Sequence, residues 1–162
     1  MWDMSKNLGY AFDDDKYNRL VLLFEPTFAT YIDRLVQEKS ALFAGDRHFI
    51  GFYLDNELPF ASYQNADPLR GIDLKHFLSL PERYKAAREY AEKFMRDNGI
   101  ASTGVITKKN QEDFRGMVAD YYYQLTTATV RRYDKEHLIL GTRLHDCCLL
   151  YTSPSPRDKR QS

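Results

Sequence analysis

Cysteine is almost missing from this chain: the two present, Cys147 and Cys148, are adjacent, and sequence neighbours rarely bond to each other because the link is strained. With no Cys-x-x-Cys or other ligand spacing, a zinc site is not expected, and no cofactor is implied. An excess of one charge is missing too. The 23 basic and 23 acidic residues cancel, which removes the electrostatic case for nucleic acid or an anionic membrane as partner. No apolar run approaches the ~20 residues of a membrane helix. The opening residues Met1-Trp2-Asp3-Met4-Ser5-Lys6 lack the basic-then-apolar pattern of a leader. No internal repeat is visible.

What the chain does have is aromatic side chains and one telling segment. Phe49-Ile50-Gly51-Phe52-Tyr53-Leu54 is an apolar run of the kind a buried parallel strand requires, and it stops abruptly at Asp55-Asn56-Glu57 before Pro59. In α/β proteins ligands bind at the carboxyl ends of such strands. Asn56 and Glu57 there make a hydrogen-bonding amide beside a titratable carboxyl group; the plainer alternative is that Asp55, Asn56 and Glu57 cap a turn. Strict alternation would send Asn56 and Glu57 to opposite faces, so both meet one ligand only if the strand end bends or bulges.

The strand, expected over His48–Asp55, follows a helix opened by Glu25-Pro26, with proline suited to the first turn. Phe28, Ile32, Leu35, Val36, Leu42 and Phe43 fall at helical spacing as its inner stripe, and Gly45-Asp46 ends it. A long connection, Phe60 to Ser79, carries a short ordered piece around Ile72, Leu74, Phe77 and Leu78. Ser79-Leu80-Pro81-Glu82 fits a capping box for a helix ending at Asn98-Gly99. Ala101 to Lys109 reads as a connection. A longer helix runs from about Gln111 to Tyr133 with Phe114, Met117, Val118, Tyr121, Leu125 and Ala128 inward. A second strand is expected over His137–Leu144. Of the histidines, His137 is expected to be structural, while His76 and His145 read as solvated loop residues. Tyr121-Tyr122-Tyr123 wraps around the helix with one or two rings packed inward.

Phe49 to Pro59 resembles the fourth-strand motif of clan A glycoside hydrolases, (β/α)8 barrels that end this strand in Asn-Glu, and is most similar to the β-agarase and β-galactosidase-like branch. Leu20 to Asp33, centred on Phe24-Glu25-Pro26-Thr27-Phe28, resembles the loop and helix before that strand. Val130-Arg131-Arg132-Tyr133-Asp134 with His137-Leu138-Ile139-Leu140-Gly141-Thr142-Arg143 resembles the helix and strand after it. The resemblance implies an α/β fold, a partial (β/α)8 (TIM) barrel incomplete at both ends, since a whole barrel needs about 250 residues. Residues 1–146 would be a central fragment of a glycosidase barrel, and residues 147–162, rich in Ser, Pro and basic residues and similar to translated adaptor sequence, a disordered or artefactual tail.

The implied function is cleavage of β-O-glycosidic bonds in a galactan or agar-like polysaccharide by a retaining two-carboxylate mechanism. Glu57 would be the general acid/base, and Asn56 would bind a sugar hydroxyl beside the scissile bond. Arg143, at the end of the second strand, is either a substrate clamp or the partner of an active-site carboxylate. Retention needs a second carboxylate about 5–5.5 Å from the first, which the family supplies from a later strand. The implied partners are a carbohydrate substrate and the remainder of the chain's own barrel, and the parent protein would be secreted or periplasmic. A non-catalytic helical interaction domain, or a carbohydrate-binding fragment without chemistry, remains the alternative.

Overall fold

The structure, a computed structural model, describes residues 19–56 and 72–143. A 3-10 stretch, Arg19–Phe24, leads into α1 (Pro26–Phe43), then β1 (Gly51–Phe52) and β2 (Asp55–Asn56). After residue 71 come α2 (Leu74–Leu78), a 3-10 turn Glu82–Tyr84, and α3 (Lys85–Asp97). A second turn, Thr103–Val105, precedes α4 (Lys108–Tyr133), and β3 (Leu138–Ile139) and β4 (Thr142–Arg143) complete the order. The described residues are mostly helical.

The two expected strands are there, but each is shorter than the apolar run suggests and is split into two pieces. β1 pairs with β3 in parallel, Gly51 opposite Leu138 and Phe52 opposite Ile139. β2 pairs with β4, also parallel, Asp55 opposite Thr142 and Asn56 opposite Arg143. Between them Leu140 N–H donates to Phe52 O at 2.8 Å and Leu54 N–H to Gly141 O at 2.7 Å. The split has a backbone cause: Gly141 has φ +78°, outside the extended region and open to glycine without a Cβ penalty. One face of the ribbon is not covered by the described residues: Leu138 is 57% exposed and Leu140, two residues on and on the same side, 39%.

Helix α1 keeps its expected bounds. Pro26 occupies the first turn, where its missing N–H costs no hydrogen bond, and Gly45 at φ +77° turns the chain out of it. Its inner stripe is narrower than the spacing suggests, for Leu42 is exposed and Ser40 buried. Helix α4 begins earlier, at Lys108. Thr107 accepts from the Asn110 amide while Asn110 accepts from the Thr107 amide, a reciprocal cap that satisfies two orphan donors at once. The stripe of α4 also runs differently, through Phe114, Val118, Tyr122, Thr126 and Val130. This i, i+4 series advances by about 40° a step around a long helix, leaving Tyr121 and Ala128 outside.

The capping box expected at Ser79–Glu82 does not form. Ser79 instead closes α2, its hydroxyl donating to His76 O at 2.8 Å, and Asp73 caps the start of α2 through the His76 amide at 3.0 Å. The core gathers Leu20, Val21, Leu22 and Leu23, all essentially inaccessible, with Phe77, Tyr84, Ala91, Phe114 and Val118. Gln111 joins α4 to α2 by accepting the Leu74 amide at 2.7 Å, and α1 packs along α4. Among the described residues no helix is long and apolar enough to cross a membrane.

At the amino end of the strand pair His137 is a structural residue. Its Nδ1 lies 2.7 Å from Asp134 Oδ2 and its Nε2 3.2 Å from Asp46 O, so one ring ties the end of α4 to the turn after α1. The Asp134 bond, opposed by partial desolvation, raises the imidazole above its ordinary 6.5. Burial pushes Asp134 up, but the amide and ring of His137 and the Glu136 amide outweigh it and hold the carboxyl below 3.8. A raised histidine stabilises the fold fully below its unfolded pKa, and that contribution is lost as pH rises through the folded one. A lowered carboxyl does so above its unfolded pKa and loses it as pH falls through the folded one. The latch is therefore complete between pH 3.8 and 6.5. Urea midpoints taken across pH should fall above this window in the wild type and show no such fall in His137→Gln; equal pH profiles would remove the latch.

Candidate functional site

Because both strand pairs are parallel, the carboxyl ends of the two strands come out at one edge. The register sets Asn56 directly opposite Arg143, with Asp55 opposite Thr142 one step earlier, at the roughly 4.8 Å spacing of neighbouring strands. Two of the three expected site residues, distant in sequence, are thus brought together by the fold. The third, Glu57, lies outside the described residues, as does His145.

Helix α4 supports this edge from beneath. Tyr122 is 2% exposed; its hydroxyl lies 3.4 Å from Leu54 O and 3.5 Å from Asp55 Oδ2, two long hydrogen bonds to the first strand. Burial first, and then the Asp55 carboxylate, push this phenol far above its ordinary range, so it stays protonated and donates. Tyr123, the next residue, shares a hydrogen bond of 2.6 Å with Thr142 Oγ1 of the second strand. Tyr121 points elsewhere and stacks on Phe24 with ring centres 5.5 Å apart. Thr126 returns its hydroxyl to Tyr122 O at 2.7 Å.

Asp55 takes the Tyr122 hydroxyl as a side-chain partner. His76 is a correction: it is 6% exposed rather than a solvated loop residue, edge-on to Phe77 with ring centres 6.4 Å apart, and stands in α2, away from the strand ends. His137 sits at the opposite end of the strand pair. Tyr122 and Tyr123 are what sequence reasoning missed. Three consecutive tyrosines do not say which ring faces the strands, but continuing Phe114 and Val118 by steps of four reaches Tyr122 rather than Tyr121. Among the described residues no group of three His, Cys, Asp or Glu is arranged to hold a metal ion.

Comparison with solved structures finds a likeness to BpGH50, a glycoside hydrolase family 50 protein. The two are 25% identical with a TM-score of 0.67, over 89% of this chain and 31% of that one. The chain thus spans about a third of the length of the structure it matches. No protein-family model matches the chain, and no curated protein does.

Proposed function

We propose that this chain is part of a retaining β-glycoside hydrolase of clan A acting on a galactan or agar-like polysaccharide, and that its folded part is a segment of a (β/α)8 barrel. The observation that carries the reading is the parallel register that sets Asn56 against Arg143 at the carboxyl ends of two strands, the edge where barrel enzymes hold their chemistry. The likeness to BpGH50 supports the hydrolase class.

In this reading Glu57 protonates the leaving oxygen and then takes a proton from the attacking water. Asn56 holds a sugar hydroxyl next to the scissile bond, and Arg143 orients either a hydroxyl or a carboxylate beside Glu57. The nucleophile is a second carboxylate on a later barrel strand. The uncovered ribbon face with Leu138 and Leu140 is then turned toward the rest of that barrel. The test is hydrolysis by the intact protein of agar oligosaccharides and aryl β-galactosides, with the first-formed anomer followed by proton NMR. A β-anomer product is expected. An α-anomer as first product, or no cleavage of either substrate, would overturn the reading.

A further inference from the structure

We infer that Tyr122 and Tyr123 are paired positioning residues that set the two strand ends of the proposed site, one tyrosine to each strand. The geometry stands by itself; its consequence for catalysis rests on the glycosidase reading.

The two hydroxyls address different strands at the same level. Tyr122 reaches Leu54 O and Asp55 Oδ2, immediately before Asn56, and Tyr123 reaches Thr142 Oγ1, immediately before Arg143. Consecutive helical residues diverge by about 100°, so both rings meet the sheet only where two strands lie side by side across the helix, as β2 and β4 do. The backbone ladder is thin here. β2 and β4 contribute two residues each and are separated from β1 and β3 by the break at Gly141. The helix that carries the tyrosines is the better anchored partner, since Phe114 and Val118 of α4 are wholly buried. The height of each strand end is therefore referred to α4 rather than to the pleat of the strands before it. Thr126 back-bonds to Tyr122 O and fixes that turn of the helix. Catalytic groups need placement within about 0.5 Å, and a 1 Å error costs on the order of 10²-fold in rate.

The experiment compares Tyr122→Phe, Tyr123→Phe and Tyr121→Phe in the intact protein, by amide hydrogen exchange and by steady-state hydrolysis. Tyr121, whose hydroxyl has no hydrogen bond among the described residues, is the control. Exchange should quicken over 54–56 in Tyr122→Phe and over 141–143 in Tyr123→Phe, and over neither in Tyr121→Phe. In the first two variants kcat should fall about 10- to 100-fold with KM little changed and the shape of the pH profile retained. Thr142→Val should reproduce Tyr123→Phe, the double variant should be no worse than either single one, and Thr142→Ser should keep wild-type kcat. Equal exchange in all three tyrosine variants, or additive losses in Tyr123→Phe/Thr142→Val, would overturn the inference. If the wild type hydrolyses nothing, the glycosidase reading falls and the exchange comparison still decides whether the tyrosines position the strands.

Discussion

Glu57→Gln in the intact protein should abolish cleavage of ordinary glycosides while substrate binding is kept. The amide preserves shape and part of the hydrogen bonding but neither gives nor takes the proton. General acid–base assistance is worth roughly 10²–10⁴-fold, so the loss should be largest for poor leaving groups. It should be much smaller for activated aryl glycosides, whose departure needs little protonation, and azide should then restore turnover of the glycosyl intermediate. Asn56→Ala should weaken turnover with both kinds of leaving group alike, because its contact is to the sugar and not to the departing oxygen. Should Glu57→Gln slow both substrate classes equally, with azide ineffective, another residue is the acid/base.

The second large effect concerns stability. Gly51 stands opposite Leu138 with the backbones so close that a Cβ on Gly51 would lie 2.1 Å from Leu138 O and 2.8 Å from its carbonyl carbon. The obstacle is a main-chain group on the neighbouring strand, which gives way only if β1 and β3 part. Gly51→Ala should therefore cost about 3 kcal/mol, the upper end of the usual overpacking range, despite adding a single methyl to a residue that is not fully buried. Gly116→Ala is the natural control. Its Cβ meets nothing within 4 Å, in the interior of α4, where alanine is favoured over glycine by about 0.8–1 kcal/mol. Urea titrations followed by circular dichroism should show opposite shifts in midpoint. Equal midpoints for Gly51→Ala and the wild type would mean that the strands do not approach as described.

The strands and the first helix were legible because their signals are local and strong. Pro26 and Gly45 punctuate α1 at both ends, and the run Phe49–Leu54 with its polar stop needs no tertiary knowledge to place. Parallel pairing with the strand expected over His137–Leu144 is part of what the resemblance to a barrel implies, and the structure has it. The errors arose where a local signal was overridden by its neighbours or was not strong enough to stand out. Ser79-Leu80-Pro81-Glu82 reads as a cap, but Ser79 is captured by the preceding turn through His76 O; the reciprocal cap forms instead at Thr107, inside a stretch that reads as a connection. Stepping three residues from Val118 put Tyr121 in the stripe of α4, whereas the buried series steps by four and reaches Tyr122. His76 was misplaced because a histidine in a polar connection carries no mark of burial; the packing of Phe77 and Leu74 beside it decides that. At the site, Asn56 and Arg143 were legible one by one, but their juxtaposition is a matter of register, which no local pattern encodes.

The strand pair also fixes an order of events during synthesis. β1 emerges from the ribosome long before β3, its hydrogen-bonding partner, and all of α2, α3 and α4 is made in between. At roughly 5–20 residues per second, the edge of β1 waits several seconds with its amides unpaired. Each helix winds on backbone hydrogen bonds local to itself, so the interval is one in which a nascent chain meets another strand edge or a chaperone before its own. Slowing translation before codon 138 should lengthen that exposure, and hastening it should raise the soluble yield without changing a single residue of the protein.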